Sequence, residues 1–434
     1  RFVTASSLFD GHDVSINIMR RILQAQGVEV IHLGHNRSVQ EIVTAAIQED
    51  VHAVAISSYQ GGHIQYFSYL RKSLDDNGGK NIRIFGGGGG VITQKEVQYL
   101  HEIGITKIYT PADGVALGLD GIVKDMISRS RYSTIENHSF RSFENTMDHM
   151  LIGKTISFIE TNGELPFHIE EKNIQVLGLT GTGGAGKSSL IDELISRFQL
   201  YYPLMKIALV SIDPTRKKTG GALLGDRIRL SSVSNSNLFV RSFATRQSGD
   251  ELSPQIKQVI SYLKALAFDL IIVESSGIGQ ASNAITTVAD QSVYVMTPEF
   301  GAPSQLEKIE MLDAADYVVI NKYERPRSED ALRDVRKQYR RNKNMLAAGK
   351  GFVSDEELPI YGTVASRFND DGVNTLFYDL TLGLGFDNSA LKDFRKSKAS
   401  TLTAPIIHPE RVNYLWDVAW TVRGYNSKTK DLVS

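Results

Sequence analysis

One imidazole lies between two carboxylates in a short polar turn, Asp10-Gly11-His12-Asp13, near the start of the sequence. His12 could ligate a metal ion through one ring nitrogen while Asp10 accepts a hydrogen bond from the other, which would fix the tautomer. Asp10 could instead cap the helix-like segment that follows, with His12 as a surface residue. No second histidine lies near enough and the chain has no cysteine, so a metal bound here would take its remaining ligands from a cofactor.

A second turn has the spacing G-x-x-x-x-G-K-[ST] and separates a strand-like run at 174–179 from a helix-like run. Backbone N–H groups of such a turn surround phosphate oxygens, and the N-terminus of the helix adds a favourable dipole. We expect Lys187 to reach the β- and γ-phosphates and the Ser188 hydroxyl to bind Mg²⁺. The predicted nucleotide-binding set of this turn is Gly181, Gly183, Gly184, Ala185, Gly186, Lys187, Ser188 and Ser189.

A third polar motif, Asn321-Lys322-x-Glu324, ends another strand-like run. GTPases read guanine with N-K-x-D, whose carboxylate accepts hydrogen bonds from the ring and amino N–H groups of the base. Glu324 has the same acceptor chemistry on a side chain one methylene longer, so the motif predicts a guanine site. The same residues could instead begin a helix with a solvated glutamate. The run 363–366 (TVAS) follows a further strand and is a candidate for the last loop that contacts the base.

Carboxylates also end two strand-like runs between these motifs, at Asp213 and at Glu274. A carboxylate in this position can serve Mg²⁺ directly or through water. A glycine-rich stretch, 220–225, follows the first of them and leads to Asp226 and Arg229. These last two residues could bind the magnesium and the phosphates, or they could form a surface ion pair of little energetic consequence.

Residues 1–126 alternate strand-like runs with amphipathic segments, and the strand-like runs are Phe2–Ser6, Val28–Leu33, Ala53–Ser57, Ile82–Phe85 and Lys107–Tyr109. This alternation predicts an α/β fold with a doubly wound parallel sheet. Ligands of such sheets bind at the carboxyl ends of the strands. The loops 10–13, 57–62 and 86–90 lie at those ends, and their glycines would let a large flat ligand approach the backbone.

The three loops resemble the cobalamin-binding domain of adenosylcobalamin-dependent mutases, whose motif is D-x-H-x-x-G, then S-x-L, then G-G. The positions that match are Asp10, His12, Ser57, Gly86 and Gly87. The resemblance implies a flavodoxin-like domain in which His12 binds cobalt in place of the cofactor's own base. The loops at 57 and 86–90 would line the slot for the displaced nucleotide tail.

Two positions depart from that motif. Ser15 stands where the family usually has glycine, and Tyr59 stands where it usually has leucine. The fused acyl-CoA mutases resemble this chain at the DGHD and SIN residues themselves, so the departure at Ser15 leaves that closer match intact. Tyr59 is included among the predicted cofactor-binding residues.

The second half of the chain resembles the metallochaperone-type P-loop GTPases that escort cobalamin to acyl-CoA mutases. Their motifs D-P-[ST], G-G-x-x-x-G-D-x-x-R and E-x-x-G are present at 213–215, 220–229 and 274–277. The resemblance implies that the magnesium ligands are Ser188, Asp213, Asp226, Glu274 and Ser275. It also implies that Arg229 is the cation on the phosphate side, and that the catalytic set is Lys187, Asp213, Arg229 and Glu274.

These motifs divide the chain into four parts. A cobalamin-binding domain at 1–126 is followed by a polar linker at 127–170, a P-loop GTPase domain at 171–385 and helical linker residues at 386–434. Trp416 and Trp420 in the last part are either core anchors or an interface.

This order resembles the fused isobutyryl-CoA mutase family, in which a barrel that binds the acyl-CoA follows the linker. The resemblance implies reversible rearrangement of isobutyryl-CoA to n-butyryl-CoA, begun by homolysis of the cobalt–carbon bond of adenosylcobalamin. GTP, GDP and Mg²⁺ would control cofactor loading and removal, and a homodimer and a cobalamin-delivering adenosyltransferase are the expected partners. Two other readings stay open: a cobalamin sensor or carrier with a signalling GTPase, and a GTPase chaperone that serves another corrinoid enzyme.

Composition excludes several classes of function. The formal net charge is −1, so no basic field favours nucleic acid. The absence of cysteine excludes disulfides, thiolate zinc sites and a cysteine nucleophile, and it fits a cytoplasmic protein. The sequence contains no signal peptide and no apolar run long enough to span a membrane. Because the sequence begins at Arg1 rather than at a methionine, we expect it to be a piece of a longer polypeptide.

Overall fold

A computed structural model describes residues 1–12, 14–136, 147–165, 167–216, 218–224, 227, 230, 236–246, 252–277, 283–300, 306, 309–343, 353–394, 397–401 and 409–433. These residues form two compact units. The first unit comprises Arg1–Gly183 and Ile195–Val293, and the second comprises Gly184–Leu194 and Tyr294–Ser434. Among the described residues, no helix combines the length and the apolar character that crossing a membrane requires.

The first part of the first unit alternates strands and helices, as its sequence predicts. Its strands are Phe2–Ser7 (β1), Glu29–Arg37 (β2), Ala53–Ser57 (β3), Arg83–Gly87 (β4) and Lys107–Tyr109 (β5). Its helices are Val14–Ala25 (α1), Val39–Gln48 (α2), His63–Asp76 (α3), Gln94–Glu102 (α4) and Pro111–Arg129 (α5). Three of the helices begin at a capping box, in which a serine or threonine and an acidic residue three positions later bond to each other's backbone N–H; these are α2, α4 and α5.

The strands form one parallel sheet in the order β5-β4-β3-β1-β2, and this order reverses between β1 and β3. Buried aliphatic side chains cover both faces of the sheet, with Ile31, Ile42 and Val54 in one cluster and Leu23 and Val30 in the other. Burial on both faces is typical of parallel sheets. The structure therefore confirms the predicted doubly wound sheet, and its switch point lies between the loops that follow β1 and β3.

A sixth strand, Ala222–Leu224 (β8), joins this sheet from a distant part of the chain. It pairs in parallel with the outer edge of β2, so that Glu29 faces Ala222 and Ile31 faces Leu224. This strand was not predicted from the sequence, because three residues inside a glycine-rich stretch give no strand periodicity. Residues Ala222–Leu224 of the predicted switch stretch are thus part of the first sheet.

The rest of the first unit contains a second parallel sheet. Its helices and strands, in chain order, are His149–Asn162 (α6), Gln175–Gly181 (β6), Ile207–Asp213 (β7), Leu238–Ala244 (β9), Ile256–Ala265 (α8) and Leu270–Glu274 (β10), with a 3₁₀ turn at Ala284–Thr287. Helix Lys187–Tyr201 (α7) begins among the residues of the second unit and ends among those of the first. Strand β10 pairs in parallel with β6 on one side and with β7 on the other, and β9 pairs with the far edge of β7. The polar segment predicted as a linker contains α6, whose aliphatic side chains Ile152, Ile156 and Ile159 are buried.

The second unit has two paired strands and helices around them. A strand at Gln291–Met296 (β11) leads into it, and Tyr317–Asn321 (β12) pairs in parallel with Ile360–Thr363 (β13). The helices are Met311–Ala314 (α9), Ser328–Asn342 (α10), Asp371–Gly383 (α11) and Pro409–Val433 (α12), with 3₁₀ turns at Pro298–Phe300 and Ser389–Phe394. On α12 the rings of Trp416 and Trp420 stack on each other, and both are exposed.

Candidate functional site

The loop after β1 holds His12 and Asp10 as the sequence predicts. The His12 Nδ1 atom lies 2.8 Å from Asp10 Oδ1, and the His12 backbone N–H donates to the same oxygen over 2.9 Å. The Asp10 side chain is fully buried, whereas 68% of the His12 side chain is exposed. If Nδ1 donates to the carboxylate, Nε2 is left as an unprotonated acceptor that can bind a metal ion.

Asp10 is held in its ionised form. Burial would raise the pKa of Asp10, but hydrogen bonds from the backbone N–H groups of Tyr59 and His12 outweigh burial, and the pKa lies below its usual value. An ionised carboxylate accepts hydrogen bonds only, so it fixes the His12 tautomer that carries its proton on Nδ1.

The loop after β3 lies against the same carboxylate. The Tyr59 backbone N–H donates to Asp10 Oδ2 over 2.6 Å, and the Ser57 hydroxyl lies 2.9 Å from the hydroxyl of Ser6 on β1. Sequence positions 10, 12, 57 and 59 therefore meet at the switch point of the sheet, where doubly wound folds bind their ligands.

The two glycines that end β4 have different surroundings. A Cβ on Gly86 would lie 2.5 Å from Ile108 Cδ1 and 2.6 Å from Phe67 Cζ, so core packing requires a glycine there. A Cβ on Gly87 would meet only the Tyr109 carbonyl oxygen, at 3.6 Å. The predicted role of Gly86 in lining a slot thus has a competing structural explanation, and Gly87 is the better candidate.

The site fits a large flat cofactor that brings its own metal. Large apolar side chains are exposed on and beside the loops that follow β1 and β4, namely Leu8, Phe9, Val14 and Val91. Among the residues that the structure describes, no three His, Asp or Glu side chains gather as a metal site, so the protein supplies one imidazole here. These exposed apolar side chains were not predicted from the sequence, because exposure cannot be read from residue type.

The phosphate-binding turn and the predicted base-reading motif are in contact in the second unit. The Asn321 side-chain amide donates to the Ala185 carbonyl over 2.8 Å, and the Lys322 ammonium donates to the Gly184 carbonyl over 2.7 Å. The structure therefore brings together two motifs that are more than a hundred residues apart in the sequence.

The TVAS loop joins the same group. The Thr363 hydroxyl and the Ala365 backbone N–H each donate to the Asn321 side-chain oxygen over 3.1 Å. Both sides of the Asn321 amide are thereby fixed, and Glu324, three residues on, is exposed. The exposed Glu324 carboxylate can therefore present acceptors to the ring N–H and amino groups of a guanine base beside a fixed asparagine.

The remaining predicted nucleotide and magnesium residues lie at the expected element ends. Lys187 and Ser188 begin α7 and are buried, Asp213 ends β7, and Glu274 ends β10. Ser275 donates to the Thr180 hydroxyl over 2.7 Å, a contact that occupies its own hydroxyl proton. Asp226 and Arg229 lie outside the described residues.

The segment before Asp226 is attached to the first sheet by more than strand pairing. The Thr219 hydroxyl donates to the Gln24 carbonyl over 3.0 Å, and a Cβ on Gly221 would lie 2.2 Å from the same oxygen. Gly221 is therefore required by a close backbone approach.

Arg227 adds a buried ion pair to this attachment. Its guanidinium donates to Glu49 Oε1 over 3.1 Å, to the Val240 carbonyl over 3.0 Å and to the side chain of Gln48, at the end of α2. Glu49 is completely buried and also accepts the backbone N–H of Ser242, over 3.1 Å. Burial lowers the pKa of Arg227, and the Glu49 carboxylate opposes that shift. The residue next to the predicted magnesium ligand Asp226 is thus paired with the domain that carries His12.

Comparison with known proteins adds two family matches. The model of the B12 binding domain matches residues 1–115, and the model of the methylmalonyl Co-A mutase-associated GTPase MeaB matches residues 168–379.

Two curated relatives match along essentially the whole chain, and a third matches part of it. The fused isobutyryl-CoA mutase of Geobacillus kaustophilus is 51% identical over 452 residues, which cover 100% of this chain and 41% of that protein. That of Cupriavidus metallidurans is 50% identical over 442 residues, which cover 99% of this chain and 40% of that protein. A putative GTPase of Pyrococcus horikoshii is 37% identical over 185 residues, covering 41% of this chain and 58% of that protein. The chain spans about two fifths of the length of the two fused mutases.

Proposed function

We propose that the chain belongs to the fused isobutyryl-CoA mutases and is the part of such an enzyme that binds adenosylcobalamin through His12 and controls its loading with GTP. The complete enzyme would interconvert isobutyryl-CoA and n-butyryl-CoA by radical rearrangement of the carbon skeleton. A barrel domain in the remaining part of the polypeptide would bind the acyl-CoA.

The observation that carries this proposal is the imidazole at the switch point of the first sheet. The buried Asp10 fixes its tautomer, so Nε2 is available to cobalt. When bound, adenosylcobalamin supplies a cobalt–carbon bond that breaks homolytically, which is chemistry that no side chain can provide. The protein's part would be to bind and orient the cofactor: His12 would hold the metal, and residues of the loops after β3 and β4 would contact the cofactor.

We propose that Lys187 and Ser188 bind the phosphates and magnesium of GTP, with Asp213, Glu274 and Arg229 serving hydrolysis. Asp226 and Ser275 would complete the magnesium shell, and Gly181, Gly183 and Ser189 would line the phosphate site. Mg²⁺ usually takes one or two carboxylates together with phosphate oxygens and water, so these residues need not form a closed metal cage. The contacts of Asn321 and Lys322 with the phosphate-binding turn support a single nucleotide site.

Glu324 is expected to make this site prefer GTP to ATP. Its carboxylate accepts hydrogen bonds from guanine, whereas the ring nitrogen of adenine at the same place is an acceptor and would be repelled. Glu324→Ala should erode the preference while leaving magnesium binding intact, and Glu324→Asp, which restores N-K-x-D, should keep it. Competition between GTP and ATP in binding measures this. Equal affinities of the unmutated protein for the two nucleotides would refute the guanine assignment.

We further propose that the nucleotide state changes the hold on cobalamin through β8. This strand lies in the predicted switch, pairs with β2 and is followed by Arg227, which is paired with Glu49. If GTP binding moves residues 220–229, the edge of the cobalamin-binding sheet must move with them. In other GTPases, switch loops that are ordered by the γ-phosphate and released on hydrolysis transmit the nucleotide state to a distant site in this way.

Thermodynamic coupling should therefore be measurable in both directions. If GTP changes cobalamin affinity relative to GDP, cobalamin must change the GTP/GDP preference by the same factor, typically about 5–150-fold. Gly221→Ala should weaken this coupling, because its Cβ would meet the Gln24 carbonyl. Lys187→Ala should bind cobalamin but lose the nucleotide effect.

Calorimetry on the complete enzyme decides the matter. Gly114→Ala, at a position with nothing within 4 Å of the new Cβ, is the matched control and should leave the coupling unchanged. Identical cobalamin affinities with GTP, with GDP and without nucleotide would exclude equilibrium gating of loading.

Three further proposals rest on the family likeness. The enzyme works in the cytoplasm, it forms a homodimer, and it receives cobalamin from an adenosyltransferase. Size measurement of the complete enzyme in solution tests the second of these.

A further inference from the structure

The ring of Tyr59 lies beside the ring of His12. The two ring centroids are 5.5 Å apart and the ring planes are tilted by 43°. The backbone of Tyr59 is fixed independently, since its N–H donates to Asp10 Oδ2 over 2.6 Å. Tyr59 therefore contacts both members of the Asp10–His12 pair, one through its backbone and the other through its side chain.

The hydroxyl end of Tyr59 is attached to the first turn of α1. The Ser15 hydroxyl donates to Tyr59 Oη over 3.1 Å. On another side of the ring, a Cβ on Gly89 would lie 3.0 Å from Tyr59 Cε1, and Gly89 has a φ of +58°, so the position favours glycine. The tyrosine ring is thus held by α1, by the loop after β4 and by the loop that carries His12.

Ser15 and Tyr59 are also the two positions at which the sequence departs from the D-x-H-x-x-G and S-x-L pattern. In the structure these two departures contact each other. A glycine and a leucine could not form this hydrogen bond, and a leucine would place no aromatic face beside the imidazole. Ser15 and Tyr59 each supply one half of the same hydrogen bond, which indicates that the two residues act together.

His12 needs such support because so little else holds its ring. Most of the side chain is exposed, and the Asp10 hydrogen bond fixes which nitrogen carries the proton. A single hydrogen bond at Nδ1 leaves the imidazole free to rock about that contact. A neighbouring ring limits this rocking, since aromatic pairs prefer tilted or offset arrangements over others.

We propose that Ser15 and Tyr59 are a pair of positioning residues that fix the plane of the His12 imidazole, so that Nε2 is directed at the cobalt of cobalamin before the cofactor arrives. This inference rests on the proposed role of His12 as the cobalt ligand. It assigns to Tyr59 a function that differs from lining the slot for the nucleotide tail, because the contacts that matter are with His12 and Ser15.

The test compares four variants of the complete enzyme by their affinity for adenosylcobalamin and by the absorbance spectrum that reports imidazole ligation. Tyr59→Phe and Ser15→Gly each remove the hydrogen bond but keep the tyrosine-like ring, and each should weaken binding about 2–10-fold, as expected for one hydrogen bond. The double variant Ser15→Gly/Tyr59→Phe should be no weaker than either single variant, because both remove the same bond. Tyr59→Leu should lose part of the imidazole-ligated spectrum as well.

Affinity for GTP, measured on every variant, serves as the control for folding and should not change. If the effects of Ser15→Gly and Tyr59→Phe multiply in the double variant, the two residues act separately and the pair is refuted. If Tyr59→Leu binds cobalamin with an unchanged spectrum and affinity, Tyr59 does not position His12. His12→Ala tests the ligand assignment separately. An unchanged imidazole-ligated spectrum in His12→Ala would overturn the role of His12 itself. Loss of that spectrum in His12→Ala, together with no effect in the Tyr59 variants, would overturn only the role of Ser15 and Tyr59.

Discussion

Replacing His12 by alanine is expected to abolish the imidazole-ligated spectrum of bound cobalamin and to weaken binding by more than about 100-fold. The reason is that His12 is the proposed ligand of the metal, and among the residues that the structure describes no group of three His, Asp or Glu side chains could replace it. Losing an outer partner of a metal ligand, by comparison, typically costs about 10–100-fold. Titration of the complete enzyme with adenosylcobalamin, followed by absorbance, gives both quantities.

Asp10→Asn should produce the smaller effect, about 10–100-fold. The carboxylate accepts from Tyr59 at one oxygen and from His12 at the other, and an amide has only one oxygen, so one of these donors would face an NH₂ group. His168, exposed and outside the first sheet, provides the matched control, and His168→Ala should bind normally. An unchanged spectrum and affinity in His12→Ala would show that another group binds the cobalt.

Replacing Arg227 by alanine is expected to destabilise the first unit by about 3–5 kcal/mol, the range found when one partner of a buried ion pair is removed. Glu49 would be left fully buried, with the Ser242 hydrogen bonds but without its closest cation. The buried carboxylate would then keep only the longer ion pair with Arg1, whose Nη1 atom lies 3.9 Å from Glu49 Oε2. The loss of stability can be measured by hydrogen exchange of the amides in Ala222–Leu224 and Leu238–Ala244, because these two strands precede and follow Arg227 in the chain.

An exposed ion pair supplies the comparison. Arg129 pairs with Asp125 over 2.8 Å, with side chains 46% and 29% exposed, and Arg129→Ala should cost no more than about 1 kcal/mol. Arg227→Ala/Glu49→Ala should lose less than the sum of the two single variants, since the residues share one interaction. The amides of β8 and β9 could instead be protected from exchange equally in Arg227→Ala and in Arg129→Ala. That result would mean that the ion pair of Arg227 with Glu49 does not hold β8 to the end of α2.

The site near His12 could be predicted because its determinants are local. The position of a turn after a strand can be read from the apolar run that precedes it. Because all strands of a parallel sheet end at one edge, Asp10, His12 and Ser57 were expected to lie close together there. The contact of Asn321 with the phosphate-binding turn follows from the same rule. Gly86 shows the limit of this reasoning, since a glycine required by Phe67 and Ile108 looks the same in the sequence as one that faces a ligand.

The attachment of the switch stretch to the first sheet could not be predicted. Strand β8 has three residues, too few for a period of two to be recognised, and it pairs with a strand from another part of the chain. Arg227 lies between residues of a phosphate motif, where a cation suggests a nucleotide contact, yet its side chain pairs with Glu49 instead. The predicted boundaries at 126, 170 and 385 stay predictions.

The late arrival of β8 has a consequence for synthesis on the ribosome. Strand β2 emerges early, but the residues that cover its outer edge follow about 190 residues later. At a rate of about 5–20 residues per second, that edge stays open for roughly 10–40 s while the nascent chain grows. An open edge of a sheet is a template for pairing with other chains, so crowded polysomes are the place where this protein is most exposed to aggregation. A first domain released by early termination would keep that edge uncovered for its whole lifetime.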